Sequence, residues 1–239
     1  GTCFVILDVN NKFYSIVKWL EIGSVRAPLL LETITNAIYA GIYGYLGDTD
    51  YTTLTYHLEN IFEYSQKLLY QHKALIWGSN DSTSCNNFSI RLDSLHFTNT
   101  CMINVQGNSL QTNYKCMSLD QQIITFNKLA KDEYLTLFYA YQNKSDNGQD
   151  DYNEAFLNGL NGYEAINLHY LGVTFILPKL EDAQLILDEA INLKIDQLSQ
   201  YTLIIALCTL VAELILFLTD MILINYLNDE YNIVRILIA

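Results

Sequence analysis

The run "TLIIALCTLVAELILFLTDMILINYL", Thr202 to Leu227, limits what this chain can fold into more than any other feature. A helix crosses the hydrocarbon core of a bilayer with about 20 mainly apolar residues, and this run is long enough. Between Thr202 and Thr219, Leu, Ile, Val and Phe hold eleven positions. On an insertion scale they contribute about −3 to −7 kcal/mol, against about +2.5 to +3.5 kcal/mol for one acid at the centre. The apolar run therefore outweighs Glu213, and Asp220 falls nearer an interface. The acids are not scattered. Thr202, Thr209, Glu213, Leu216 and Asp220 follow one another at spacings of seven, four, three and four, which puts them on one helical face. A charge facing lipid is costly, so this stripe is expected to face another helix or a polar cavity. The other reading is a soluble, buried helix whose acids lie at its solvent edge. Lys and Arg do not orient the span, because Arg235 alone follows it and acids flank both sides.

The rest of the chain reads as helices. Two prolines and eleven glycines in 239 residues are few for a loop-rich all-β protein. The first residue is Gly1, so the numbering is expected to start inside a longer chain or after processing. Residues 1–12 read either as the last turns of an upstream membrane helix or as a short buried strand. Ile16, Leu20, Gly23, Ala27, Leu30, Ile34, Ala37 and Gly41 then alternate at four and three, a helical seam that Pro28 should interrupt or kink. Leu54, Leu58, Ile61, Ser65, Leu68, His72 and Leu75 form a second seam over three heptads. From Trp77 to Cys116 no helical period survives. This is read as a long loop region (77–117), with a short hairpin near "SIRLDSLHF". Ser118 and Gln121 form a capping box for the next helix, with a seam of Leu119, Ile123, Phe126, Ala130, Glu133, Leu137 and Ala140. A fourth helix is expected from about Asp151 towards Leu177, bounded or kinked at Pro178. A last one flows without a breaker into the apolar run.

The expected fold is all-α: an up-and-down antiparallel bundle with a long irregular insertion, continuous with a C-terminal transmembrane helix. Residues 13–200 are assigned to an extracytoplasmic bundle, 201–227 to the span and 228–239 to the start of a juxtamembrane segment. Two features support that side of the membrane. Asn80, Asn87 and Asn143 each open an N-x-S sequon, and all three fall in expected loops. Cys85, Cys101 and Cys116 cluster in the loop region and are the candidates for one disulfide, with the remaining thiol left over or paired with Cys3. No C-x-x-C pair points to zinc.

Charge and motifs exclude more than they assign. A net charge of −13 argues against a nucleic-acid partner. No nucleophile elbow, phosphate loop or H-E-x-x-H occurs, so the chain is read as not an enzyme, without catalytic residues, metal or cofactor. Asp48, Asp50, Thr52 and Glu59 match part of a calcium-loop template, but Thr53 stands where glycine is required. An acidic helix N-terminus is the better account of them. Arg26 beside the first seam suits an anionic ligand or, more simply, a surface or capping role. His72 is read as a packing histidine.

The order of a loop-bearing helical domain, a long helix into a span, and "LNDEYNIVRILIA" just beyond it resembles the membrane-proximal region of large ciliate-type sensor membrane proteins, the tiny macrocysts protein B-like and PAS-bearing group. The resemblance lies in layout and in that juxtamembrane segment, Tyr, Asn and Gln usage included. It implies a sensory role, with the bilayer, other transmembrane helices of the same chain or of a homo-oligomer, and an unknown ligand as partners. From another class, a channel or transporter subunit would use Glu213 and Asp220 to line a cation path. A soluble helical interaction protein is the third reading.

Overall fold

The computed structural model describes residues 2–47, 51–99, 110–142 and 149–238, and these are all-α, with one isolated bridge between Ser79 and Ser82. The helices are α1 (Thr2–Ser24), α2 (Arg26–Leu46), α3 (Tyr51–Trp77), α4 (Ile90–Phe97), α5 (Leu110–Cys116), α6 (Leu119–Gln142), α7 (Gln149–Leu160), α8 (Tyr163–Tyr170) and α9 (Leu177–Ile238), with a π-helical turn at Leu171–Ile176. Contacts divide the chain into two units. One is Lys12–Ile191; the other comprises Gly1–Asn11 with Asn192–Ala239.

The first unit is a bundle built on the seams. All seven α3 positions from Leu54 to Leu75 are buried, as are the α6 positions from Leu119 to Leu137. The α2 helix packs along α3 and α7, α3 along α6, and α6 against α7 and α8. Because α2 and α3 pack side by side across a short connection, they run antiparallel. Gly47 closes α2 in the left-handed region (φ 65°), its N–H bonded to the Gly44 carbonyl at 3.2 Å.

Pro28 interrupts the helical seam as expected: α1 ends at Ser24, α2 starts at Arg26, and Pro28 sits in the first turn of α2, where backbone N–H groups lack intrahelical acceptors in any case. Residues 2–12 have a helical backbone, which removes the strand reading for that segment.

Ser118 caps α6: its Oγ accepts from the Gln121 N–H at 3.3 Å. The reciprocal half of the box is made by another residue, since the Ser118 N–H donates to Asn99 Oδ1 at 2.9 Å.

The expected hairpin at "SIRLDSLHF" is instead the helix α4. Leu92, Leu95 and His96 recur at three and four and meet the core on one side, a pattern too short to stand out in the sequence. The loop before it is tied down. Trp19 Nε1 donates to the Thr83 carbonyl at 2.6 Å and meets the Phe88 ring edge-on at 4.9 Å. The Cys85 N–H donates to the Leu75 carbonyl at 3.0 Å. Cys85 itself joins Ile16, Trp19, Leu92, Ala183 and Leu187 in a second small core.

The expected fourth helix is split. Asn161–Gly162 separates α7 from α8, and Gly162 is extended (ψ 168°) as the N-cap of α8. Pro178 ends nothing, because the chain passes from α8 through the π turn into α9. A proline ring crowds the carbonyl four residues back. The wider π turn just before it relieves that crowding. Gly172 lets this turn lie close to the core, since a Cβ there would stand 2.7 Å from Ile34 Cδ1.

In the second unit, α9 residues 201–228 are exposed along their whole length. Among the described residues, this is the one stretch long and apolar enough to cross a membrane, by length and composition.

Candidate functional site

Among the described residues, three groups of polar side chains bear most directly on function. The first is centred on Arg26. It stands three residues after Gly23 and four before Leu30, which is a seam position, and it is fully buried rather than on the surface or at a cap. Its Nη1 lies 3.2 Å from His72 Nδ1 and 3.4 Å from His96 Nε2. A guanidinium only donates, so both of these ring nitrogens accept. The tautomers follow. His96 carries its proton on Nδ1, 2.9 Å from the Leu92 carbonyl. His72 carries its proton on Nε2, which lies 3.3 Å from Asp120 Oδ1 but out of line for a full hydrogen bond. Asp120, in the first turn of α6, is partly exposed and favoured there by the helix dipole.

A polar chain therefore runs from the Leu92 carbonyl through His96, Arg26 and His72 to a carboxylate near the surface, joining α4, α2, α3 and α6. Burial holds His72 down to about 4 and His96 to about 2, with the Arg26 charge pushing the same way, so both rings are neutral at physiological pH. Burial also lowers Arg26, to about 10, leaving it charged. Among the described residues, Arg26 Nε and Nη2 have no hydrogen-bond partner. His72 and His96 stand 24 residues apart in sequence, and the fold brings their rings to 5.6 Å.

The second place is Glu133, on the α6 seam between Ala130 and Leu137. It is fully buried, and among the described residues neither carboxylate oxygen has a hydrogen-bond partner. Burial, with Glu164 adding like charge, pushes its carboxyl up to about 8. It lines a cavity of about 340 Å³ whose walls include Ile34 and Ala37 of α2, Leu160 of α7, and Ile166 and Leu168 of α8. No Lys or Arg lines it, and His169 and Tyr170 are its remaining polar neighbours. Ligand pockets begin at about 300 Å³ and are mainly apolar with a few placed polar groups.

The third place is the stripe on α9. Thr202, Thr209, Glu213 and Asp220 are all exposed. The Thr202 and Thr209 hydroxyls donate to the carbonyls of Leu198 and Ile205, each at 2.9 Å, and so satisfy themselves within the helix. Glu213 and Asp220 have no such internal solution, because a carboxylate cannot donate.

Of the sequon residues, Asn80 and Asn87 are exposed in the loop between α3 and α4. Asn87 holds φ 64°, with its N–H on the Asp93 carboxylate at 3.1 Å. Asn143 lies outside the described residues. Among the disulfide candidates, Cys85 is a free, buried thiol, because its Cβ points into the second core rather than towards the loop surface. Cys116 is not among the free thiols, and the cysteines that remain for it, Cys3 and Cys101, lie outside the described side chains. Asp48 and Asp50 of the partial calcium template also lie outside the described residues, and among those described no group of three or more acidic, His or Cys side chains is placed to hold a metal ion. No protein-family model matches the chain, and no curated protein or solved structure is significantly similar to it.

Proposed function

We propose that the chain is the sensory region of a multi-pass membrane signalling protein, a helical domain whose state is relayed along α9 through the bilayer. The observation that carries this reading is the run 201–228, apolar yet exposed throughout. A helix from Thr202 to Leu227 is about 39 Å long, and the hydrocarbon core is about 30 Å thick. Lipid covers that apolar surface at no cost, whereas water does not. Relay is supported by continuity: Leu177–Ile191 of α9 belong to the bundle, and the same helix continues as the apolar run. A ligand that favours one of two bundle packings would shift that helix by as much as it discriminates between them.

In this reading residues 13–200 are extracytoplasmic, and Asn80 and Asn87 are glycosylation acceptors. Exposure of both asparagines is what such acceptors need.

Fractionation of cells expressing the chain, without detergent, tests the span. Recovery in the alkali-washed membrane pellet is expected, and recovery in the soluble fraction would leave only a soluble interaction protein. A glycosidase mobility shift that disappears in Asn80→Gln/Asn87→Gln tests the side. A channel subunit is the second reading, favoured by the two acids on one exposed face. Loss of ion flux in Glu213→Gln/Asp220→Asn, with assembly intact, would select it.

A further inference from the structure

Glu133 is costly where it stands. A carboxyl buried without a hydrogen-bond partner carries a desolvation penalty that the fold does not offset. A seam position flanked by Ala130 and Leu137 would suit a leucine, and packing would then lose nothing. The acid faces a cavity of about 340 Å³ with apolar walls, no lining Lys or Arg, and Glu164 as its nearest charged influence. Neither oxygen has a hydrogen-bond partner, and both are shielded by the side chains around them.

The missing complement is therefore a cation that donates at least two hydrogen bonds and brings an apolar body with it. A metal ion does not fit, because among the described residues no group of three or more acidic, His or Cys side chains is placed to hold one. A neutral alcohol or an anion can meet only the protonated acid and forms no ion pair with it, so the cation, which draws the carboxyl into its charged form, is the stronger complement.

We propose that the cavity between α2, α6 and α8 binds a small primary or secondary amine with an apolar body, its ammonium held by the Glu133 carboxylate and its body by Ile34, Ala37, Leu160 and Leu168. As the stimulus of a signalling domain the amine rests on the reading above; as a bound ligand it does not. Binding draws the acid into its charged form, with the proton released to solvent. Affinity for the ammonium form should therefore rise from pH 6 to pH 8. The groups acting against ionisation are Glu164 on α8 and burial itself, and the other polar side chains that line the cavity are His169 and Tyr170 of α8.

The test is calorimetric titration of the full chain in lipid nanodiscs with 2-phenylethylamine, set against its neutral isostere 2-phenylethanol. The amine is expected to bind saturably and at least tenfold more tightly than the alcohol. Glu133→Gln keeps the side-chain volume and is expected to reduce amine affinity at least tenfold, with alcohol binding little changed. Ala165→Phe, which fills the cavity without touching the acid, is expected to remove both. Partitioning into lipid is the same in every variant, and thermal melting confirms that each is folded. Equal affinity for amine and alcohol would overturn the assignment, as would an unchanged affinity in Glu133→Gln or no binding of either probe, the result if the acid is merely hydrated. Failure here leaves the membrane span intact, and a soluble chain that binds the amine leaves this site intact.

Discussion

Arg26 is a buried cation whose direct partners are two neutral imidazoles, with the carboxylate one residue further on. Removing it leaves His72 Nδ1 and His96 Nε2 as buried acceptors without donors. Arg26→Met should therefore destabilise by about 2–4 kcal/mol. The triple variant Arg26→Met/His72→Leu/His96→Leu removes the acceptors too and should recover most of that loss, as denaturant unfolding will report. The histidines also set a pH dependence. Each is neutral in the fold and protonates in the unfolded chain below about 6.5. The unfolded state thus binds more protons, and stability falls as pH drops from 6.5 towards the folded values of about 4 and 2. Glu133 has the opposite sign. It keeps its proton in the fold up to about 8 but loses it in the unfolded chain above about 4.5, so its penalty grows over that window. Melting temperature should peak between about pH 5 and 7, and Glu133→Gln should raise it at pH 8 by removing the alkaline arm. Arg26 reads from the sequence as lying beside the seam in a surface or capping role, so neither its burial nor its partners were legible. His96 comes from a helix too short to show a period, and Asp120 from the turn that a cap residue starts.

At the scale of elements, the seams were the readable part. Leu54 to Leu75 and Leu119 to Leu137 were assigned from alternation at four and three, and every one of those positions is buried. Short elements were not readable. In α4 a single turn of three residues carries the burial, and in the π turn the register changes by one residue with no residue type to announce it. Close helix approach is set by glycine. A Cβ on Gly44 would enter the ring of Phe156, itself fully buried and unable to swing away, and one on Gly41 would meet Leu160. Gly44→Ala gains about 1 kcal/mol in helix propensity but costs about 1–3 kcal/mol in overpacking. Net destabilisation of roughly 0–2 kcal/mol, read by thermal melting, is expected. Ser118→Ala removes the α6 cap and should cost about 1 kcal/mol.

For the whole molecule, composition gave the class and hydropathy gave the apolar run, because both are sums over many residues. What the acids on that run face was not legible, since a stripe specifies a partner without naming one. Glu213→Leu/Asp220→Leu makes the run uniformly apolar. Such a variant should remain in the alkali-washed membrane fraction, while chemical cross-linking of copies or of neighbouring helices falls, if the stripe is used for contact. Unchanged cross-linking would assign the acids to a water-filled path instead.

The buried thiol of Cys85 has a use of its own. Burial pushes it up to about 11, although Arg26 pulls the other way, so it stays protonated and shielded. It is the buried residue of the loop that Trp19 holds, and among the described residues the other free thiol, Cys208, lies on the apolar helix. Maleimide can reach Cys85 only when that loop lifts. The protein thus carries its own stopwatch: the labelling rate at Cys85 counts openings of the loop without any introduced probe.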